Sequence, residues 1–222
     1  MNKFFNIENP FFAFFGKFAD AVVLHILWLV CCLPVVTIGP ATTALYYVLM
    51  KDIRNEGKHY YRMFFRSFKE NFRKGFLLGI IFLLVAGVLV YAAFMYKNLY
   101  DEVQDGFMDG MTYVTAGLLA VWIMFFTYVA ALTARFENTI PKTLVNALLL
   151  MVKNIGWTFL MILLAAAFYF VIIYFSQYLF ILIIPGYGFI ALVNSYILNR
   201  IFKPFVENTE AEEAENETEA EG

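Results

Sequence analysis

Residues 75–96 read GFLLGIIFLLVAGVLVYAAFMY, and this stretch decides the fold class. It carries no charge from end to end. A helix rises about 1.5 Å per residue and needs about 20 mostly apolar residues to cross the hydrocarbon core of a bilayer. Residues 111–134 form a second uncharged stretch of sufficient length. Both stretches predict membrane-spanning helices.

Three further spans are predicted from the same criterion. Residues 154–199 are uncharged throughout, which is too long for one crossing and predicts two, at about 155–175 and 178–198. The turn between them is expected around Ser176 and Gln177. Residues 21–38 form a shorter apolar run, and this predicts the first span.

The composition excludes the common soluble classes. Of 222 residues, 62% are hydrophobic and only 15% are charged, whereas soluble domains have about 45–50% apolar and about 25% charged residues. Two cysteines are too few for a disulfide scaffold. The predicted fold is therefore all-α: a polytopic transmembrane helix bundle of about five spans, with a cytoplasmic amphipathic segment at 40–74 inside the membrane domain 1–205.

The loop charges predict the orientation of the chain. Lys and Arg cluster at 51–74 and flank 135–153, whereas 97–110 is mainly acidic. Because basic loops stay on the cytoplasmic side, the carboxyl terminus should be cytoplasmic and the amino terminus outside. The alternative is that residues 21–50 form a re-entrant or two-helix hairpin, which would leave the amino terminus inside.

The last residues differ in character from the membrane domain. Residues 206–222 are rich in Glu and contain no Lys or Arg. Low hydrophobicity and uniform charge predict a disordered acidic tail.

Residues 60–74 interleave aromatic and basic side chains at helical spacing, which predicts an amphipathic helix. Anionic lipid headgroups attract such a surface, and so can a protein partner. Nucleic acid is not expected as a partner, because the segment lies tightly between membrane elements. The candidate residues for a lipid or partner surface are Arg62, Phe65, Arg66, Lys69, Phe72, Arg73 and Lys74.

Helix breaks and one titratable side chain form a second group of candidates. Proline interrupts helices, and broken helices present backbone dipoles to ligands in some transporters. A helix corner or a packed kink is the plainer interpretation. An ionisable group inside a span is a functional candidate by default. The positions are His25, Pro34, Gly39, Pro40, Pro185 and Gly186.

No pattern of catalytic chemistry is visible in the sequence. Two His and two Cys are scattered without the spacing of metal ligands. Phosphate-binding loops and nucleophile motifs are absent as well. The sequence therefore predicts no catalytic residues, no cofactor, no metal and no enzymatic activity.

The run LPVVTIGPATTALYY at 33–47, together with FFRSFKENF at 64–72, carries a family resemblance. The chain resembles the YesL-like family of bacterial integral membrane proteins, called domain of unknown function 624, over about residues 1–205. The resemblance implies a small multi-pass protein of the bacterial plasma membrane. Genes of this family often lie beside carbohydrate transporter genes, which implies an accessory role in sugar uptake or utilisation. The family offers no catalytic residues to transfer.

Two functional hypotheses follow from these features. In the first, the chain is a non-catalytic accessory protein whose basic-aromatic segment contacts subunits of a sugar ABC transporter. In the second, it is a small transporter or channel subunit that uses the helix breaks and His25. Either form could act as a homo-oligomer in the lipid bilayer.

Overall fold

A computed structural model describes residues 10–54, 59–104, 106–174 and 186–221. Every regular element in these ranges is a helix, which confirms the all-α prediction. The helices are α1 (Pro10–Cys31), a 3₁₀ helix (Val35–Thr37), α2 (Ile38–Ile53), α3 (Tyr60–Glu70), α4 (Phe72–Val103), α5 (Gly106–Arg135), α6 (Ile140–Lys153), α7 (Ile155–Tyr174) and α8 (Gly186–Glu221).

Helices α4 and α5 are long and apolar enough to cross a membrane, and they contain the predicted spans 75–96 and 111–134. A third candidate crossing is the bent pair Ile140–Lys153 and Ile155–Val171, whose axes meet at 90°. These two or three candidates among the described residues do not reach the predicted count of five. The turn predicted at Ser176 and Gln177 lies outside the described residues.

The α4–α5 pair forms a long antiparallel hairpin. The Trp122 indole donates a hydrogen bond to the Phe82 carbonyl oxygen over 3.1 Å, and the two rings stack with centroids 4.4 Å apart. At the start of the pair, Lys74 Nζ donates to the Asn138 carbonyl oxygen just beyond α5. We name this end the basic end, because Lys74 and Arg135 lie there, and the opposite end, at 97–110, the acidic end.

Burial along the hairpin is uneven. The buried residues of α4 lie within 75–82, and those of α5 lie within 124–134 apart from Thr115. Towards the acidic end, large apolar side chains such as Leu84, Val88 and Tyr113 are exposed. The other helices therefore pack around the basic half of the hairpin, while the distal half presents the apolar surface expected of a lipid-facing helix pair.

Helix α2 is the centre of the bundle, with α1, α3, α4, α5 and α8 packed around it. Twelve of its sixteen residues are buried. The first part of the segment 40–74, predicted to be amphipathic, is therefore a buried helix in the structure. Helix α2 carries small and apolar residues on all sides, and such a helix is stable only when it is enclosed by others.

Helices α1 and α2 form an antiparallel hairpin. Lys17 Nζ in α1 donates to the carbonyl oxygens of Asp52 and Ile53 at 2.7 and 3.1 Å, at the far end of α2. Nearer the tip, the Trp28 indole donates to Thr42 Oγ1 over 3.1 Å. This geometry corresponds to the hairpin alternative for residues 21–50 and differs from a single crossing at 21–38.

The break in this hairpin follows from Pro34. Helix α1 ends at Cys31, and Pro34 precedes the 3₁₀ helix with an extended backbone, since a proline ring would clash with the preceding helical turn. The Thr37 hydroxyl closes the bend by donating to the Cys31 and Pro34 carbonyl oxygens. Apolar side chains cover the outside of the tip, with Leu33 79% exposed.

Both ends of α2 remain near the basic end of the α4–α5 hairpin. Gly39, in the first turn of α2, lies against Gly75 and Gly79 of α4. Arg54, just after α2, shares the side chain of Asn199 with Arg135 at the end of α5. The α1–α2 hairpin therefore does not extend to the acidic end.

The structure also differs from the prediction at the carboxyl terminus. Helix α8 continues to Glu221, through the segment 206–221 that was expected to be disordered. Ala and Glu dominate this segment and are among the better helix formers, so local propensity favours a helix even where the composition disfavours a packed core.

Candidate functional site

The outer face of α3 combines exposed aromatic and basic side chains. Helix α3 buries Phe64 and Ser67 against α2. Phe65 is 50% exposed and Phe72, at the start of α4, is also exposed. The cations of this face are exposed as well. We define the α3 surface as Arg62, Phe65, Arg66, Lys69, Phe72 and Arg73.

Two of the predicted surface residues have additional roles. Arg66 Nε donates to Glu70 Oε1 over 2.8 Å, so part of its charge is offset within α3. Lys74 is only half-buried, and its ammonium binds the Asn138 carbonyl oxygen across the basic end. Lys74 therefore joins α4 to the link between α5 and α6, and it is set apart from the α3 surface.

Asp52 fixes α3 on the buried helix. This carboxylate is 4% exposed, and its Oδ1 accepts a hydrogen bond from the Tyr60 hydroxyl over 2.7 Å. Burial, together with the hydrogen bond to this carboxylate, raises the pKa of the Tyr60 phenol. Since Lys17 binds the backbone of the same turn, α1, α2 and α3 are joined at one point. The α3 surface is thus held on a rigid support.

Of the predicted helix-break positions, Gly39 and Pro40 form a helix crossing. A Cβ on Gly39 would overlap the Gly75 carbonyl oxygen, and a Cβ on Gly75 would lie 2.8 Å from the Pro40 Cα. Gly79 is in equally close contact with Gly39. The backbones of α2 and α4 are therefore in direct contact at these glycines, which leaves no room for a ligand between them.

His25 and Gly186 are far apart in the sequence, and they are in contact where α1 packs against α8. His25 is 3% exposed, and a Cβ on Gly186 would lie 2.5 Å from its Nε2. The imidazole stacks on Trp28 with centroids 5.5 Å apart, and Trp28 packs on Tyr187 at 4.9 Å. The site is closed by aromatic packing. Pro185 lies outside the described residues.

Asn199 is an amide expected from the sequence to bond across helices or cap a helix end, and it forms a polar junction at the basic end whose partners the sequence did not identify. Asn199 Oδ1 accepts hydrogen bonds from Arg54 Nη1 at 2.9 Å and Arg135 Nη1 at 2.8 Å, while its Nδ2 donates to the Met50 carbonyl oxygen at 3.1 Å. This side chain joins α2, α5 and α8. No sequence spacing links these residues, because they are 145 and 64 positions from Asn199.

The described residues contain no group of three His, Cys, Asp or Glu side chains arranged to hold a metal ion. Two of their cavities lie at the basic end. One of about 440 Å³ is mainly apolar and lies between α5, α6 and α8. Another, of about 190 Å³, lies where α2 and α5 end and is lined by basic side chains.

A family model described as "Protein of unknown function, DUF624" matches residues 21–93. This match supports the family assignment made from the sequence, over the segment that it covers. The matched segment contains the α1–α2 hairpin from Ala21, the α3 surface and the first part of α4, and so includes the contact between Gly39 and α4. No curated protein and no solved structure matches the chain.

Proposed function

Starting from the assignment of residues 21–93 to the DUF624 family, we propose that this chain is a non-catalytic, multi-pass integral membrane protein of a bacterial plasma membrane. It acts as an accessory protein that presents the α3 surface to a cytoplasmic partner. The family resemblance favours subunits of a sugar ABC transporter as that partner. The observation that supports this proposal is the exposure of aromatic and basic side chains together on the α3 surface.

Rigidity supports a role in recognition. A surface that is ordered before binding loses less conformational entropy when the complex forms. Helix α3 is anchored through Phe64, Ser67 and the Tyr60–Asp52 hydrogen bond. Aromatic and arginine side chains are also the residue types enriched where protein interfaces gain most of their binding energy.

The proposed topology places the basic end in the cytoplasm, with the carboxyl terminus on the same side. In this topology the start of α1 is cytoplasmic too, and the contact between Lys17 and the end of α2 supports this part of the proposal. This arrangement favours the hairpin alternative for the amino terminus. Helices α4 and α5 cross the bilayer, and the bent pair α6–α7 with α8 supplies the remaining crossings.

Sided cysteine labelling tests this topology. In a Cys31→Ala/Cys32→Ala background, Gly16→Cys and Arg66→Cys should react with a membrane-impermeant maleimide only after the cells are opened. Asp101→Cys, exposed at the acidic end, should react in intact cells and serves as the matched control. Labelling of Gly16→Cys in intact cells would place the amino terminus outside and contradict the hairpin topology.

Charge neutralisation tests the partner surface. The triple variant Arg62→Gln/Lys69→Gln/Arg73→Gln should reduce co-purification of the partner at least about tenfold, because rim and core cations both contribute to association. The measurement is mild-detergent affinity purification from the native host grown on complex carbohydrate, with mass spectrometry of the bound proteins. Lys74 is left unchanged, because it holds α4 to the basic end.

The matched control is Lys97→Gln/Lys142→Gln/Lys203→Gln, which removes the same charge from exposed positions elsewhere. It should leave co-purification unchanged. Recovery of equal amounts of partner with the α3 variant would contradict the proposal. Recovery of a homo-oligomer alone from the wild type would favour the small transporter or channel subunit, and solute flux into proteoliposomes would then test that function.

A further inference from the structure

Helices α6 and α8 face each other across a cavity at the basic end. Helix α6 packs against α5, whereas α8 packs against α1, α2, α5 and α7. The space between α6 and α8 has a volume of about 440 Å³, which falls within the range of about 300–1,000 Å³ that is usual for ligand sites. We name it the apolar cavity.

Apolar side chains form most of the wall of this cavity. Leu132 of α5 and Phe202 of α8 line it and are buried, and Leu149 of α6 lines it while remaining 61% exposed. The amide residues Asn138 and Asn146 also contribute to the wall. An apolar space offers water few hydrogen-bond partners. A ligand with an apolar part therefore suits this cavity better than water does.

The apolar cavity adjoins a second cavity of different chemistry. This second space measures about 290 Å³ and is lined by Trp157 and Arg200, among others. Lys153 and Phe205 line both cavities, so they form the boundary between them. We name the second space the cationic cavity. Together the two cavities place an apolar volume directly beside a positively charged one.

Aromatic rings hold both cations in place. Lys153 Nζ lies 5.4 Å from the centroid of the Phe205 ring, and the Arg200 guanidinium carbon lies 5.3 Å from that of Trp157. A cation–π contact positions a cation but does not cancel its charge as a carboxylate would. Among the described residues, no Asp or Glu lines either cavity. The charge of the cationic cavity is therefore complementary to an anion.

The outer side of α6 indicates contact with the membrane. Leu148 and Val152 are 50% and 61% exposed and do not line the apolar cavity. The axis of α6 meets that of α7 at 90°, so α6 is perpendicular to a helix that runs through the bilayer. A helix with an exposed apolar side in this orientation is typical of the membrane interface. In the proposed topology both cavities then lie at the cytoplasmic surface, where anionic lipid headgroups are available.

We propose that the two cavities together bind one anionic phospholipid, with an acyl chain in the apolar cavity and the phosphate between Lys153 and Arg200. A neutral lipid or an apolar helix would match the apolar cavity alone, and a soluble phosphate would match the cations alone. The site rests on the membrane location in the proposed function. It is separate from the α3 surface and independent of the protein partner.

Native mass spectrometry of the purified full-length protein in a neutral detergent tests the proposal. The protein is titrated with phosphatidylglycerol or with phosphatidylcholine that carries the same acyl chains. One phosphatidylglycerol should bind per chain, with a Kd at least about tenfold below that of phosphatidylcholine, because each cation near the headgroup strengthens the binding of anionic lipid. Equal affinities for the two lipids, or no binding of phosphatidylglycerol, would overturn the proposal.

Charge variants test the role of the cationic cavity. Lys153→Gln/Arg200→Gln should raise the Kd for phosphatidylglycerol at least about tenfold, towards the value for phosphatidylcholine. The matched control is Lys97→Gln/Lys142→Gln, which removes the same charge from exposed positions outside both cavities. It should bind like the wild type. Wild-type affinity in the folded Lys153→Gln/Arg200→Gln protein would contradict the assignment of the phosphate.

A variant with a larger side chain tests the role of the apolar cavity. Leu149→Trp enlarges a side chain in its wall, so it should weaken the binding of both lipids at least about tenfold. Leu148→Trp makes the same change at the neighbouring position, which does not line the cavity, and it should bind both lipids like the wild type. Because Leu149 is exposed, the variant should fold even if the double charge variant does not. Unchanged lipid affinity in Leu149→Trp would overturn the proposal.

Photocrosslinking locates the bound lipid. A phosphatidylglycerol with a diazirine in its acyl chain should form adducts within residues 132–136, 146–150 and 202–205, which contain the wall of the apolar cavity. Adducts confined to the distal half of the α4–α5 hairpin would instead indicate lipid around the outside of the helices, and this result would overturn the proposal. None of these outcomes depends on whether the α3 surface binds a transporter.

Discussion

Replacing Gly39 with alanine is expected to destabilise the protein by about 3 kcal/mol, because the added methyl group overpacks a helix crossing. The new Cβ would overlap the Gly75 carbonyl oxygen, with the Gly79 Cα 2.9 Å away. These are backbone atoms of a long helix, so a side-chain rotation cannot relieve the overlap. Helices α2 and α4 must separate, which opens the buried centre of the bundle.

The matched control is Gly87→Ala in α4, where a Cβ meets no atom within 4 Å. This change should leave stability unchanged or raise it slightly, because alanine is the better helix former by about 1 kcal/mol. The measurement is the unfolding midpoint of both variants in the same detergent, together with their elution on size exclusion. Equal midpoints for Gly39→Ala and the wild type would contradict the close crossing of α2 and α4.

Replacing Asn199 with leucine is expected to cost about 2 kcal/mol. Leucine has a similar volume, but it removes the acceptor shared by Arg54 and Arg135 and the donor to the Met50 carbonyl oxygen. Leaving partly buried polar groups without these partners costs more than the bonds themselves contribute. The unfolding free energy in detergent, from denaturant titration, measures the effect.

Asn98→Leu makes the same chemical change at an exposed position near the acidic end, and it should change the unfolding free energy by less than about 0.5 kcal/mol. If Asn199→Leu were as stable as Asn98→Leu, the junction of α2, α5 and α8 would contribute nothing to folding.

The helices that could be predicted from the sequence are those whose hydrophobicity alone determines their position. The uncharged runs at 75–96 and 111–134 lie within α4 and α5, because uncharged apolar segments of this length have few alternatives to a membrane-crossing helix. Helical spacing also predicts that α3 is amphipathic. In the structure Phe64 is buried, whereas Phe65 and Phe72 are exposed.

The role of α2 could not be predicted in the same way. Its apolar start and charged end are equally typical of a helix that emerges at a membrane surface, and burial depends on helices that come later in the chain. One available signal was overlooked: Gly75 and Gly79 have the four-residue spacing that permits close helix contacts in membranes. The partner of that pair, Gly39, is fixed only by the tertiary fold.

Residues that meet across long separations were the least predictable. His25 and Gly186 were separate candidates in the sequence, and their contact depends on how α1 packs against α8. The junction at Asn199 likewise depends on how α2, α5 and α8 pack together. Local patterns describe faces of single helices, whereas these sites are made where the ends of several helices converge.

The central position of α2 has a consequence for biosynthesis. This helix leaves the ribosome before its enclosing partners α5 and α8, which are translated only at 106–135 and from residue 186 onwards. Nascent chains must therefore hold an unfinished core until α8 has been translated. A chain that terminates before α8 would expose this core, and membrane quality-control proteases should recognise such truncated products rapidly.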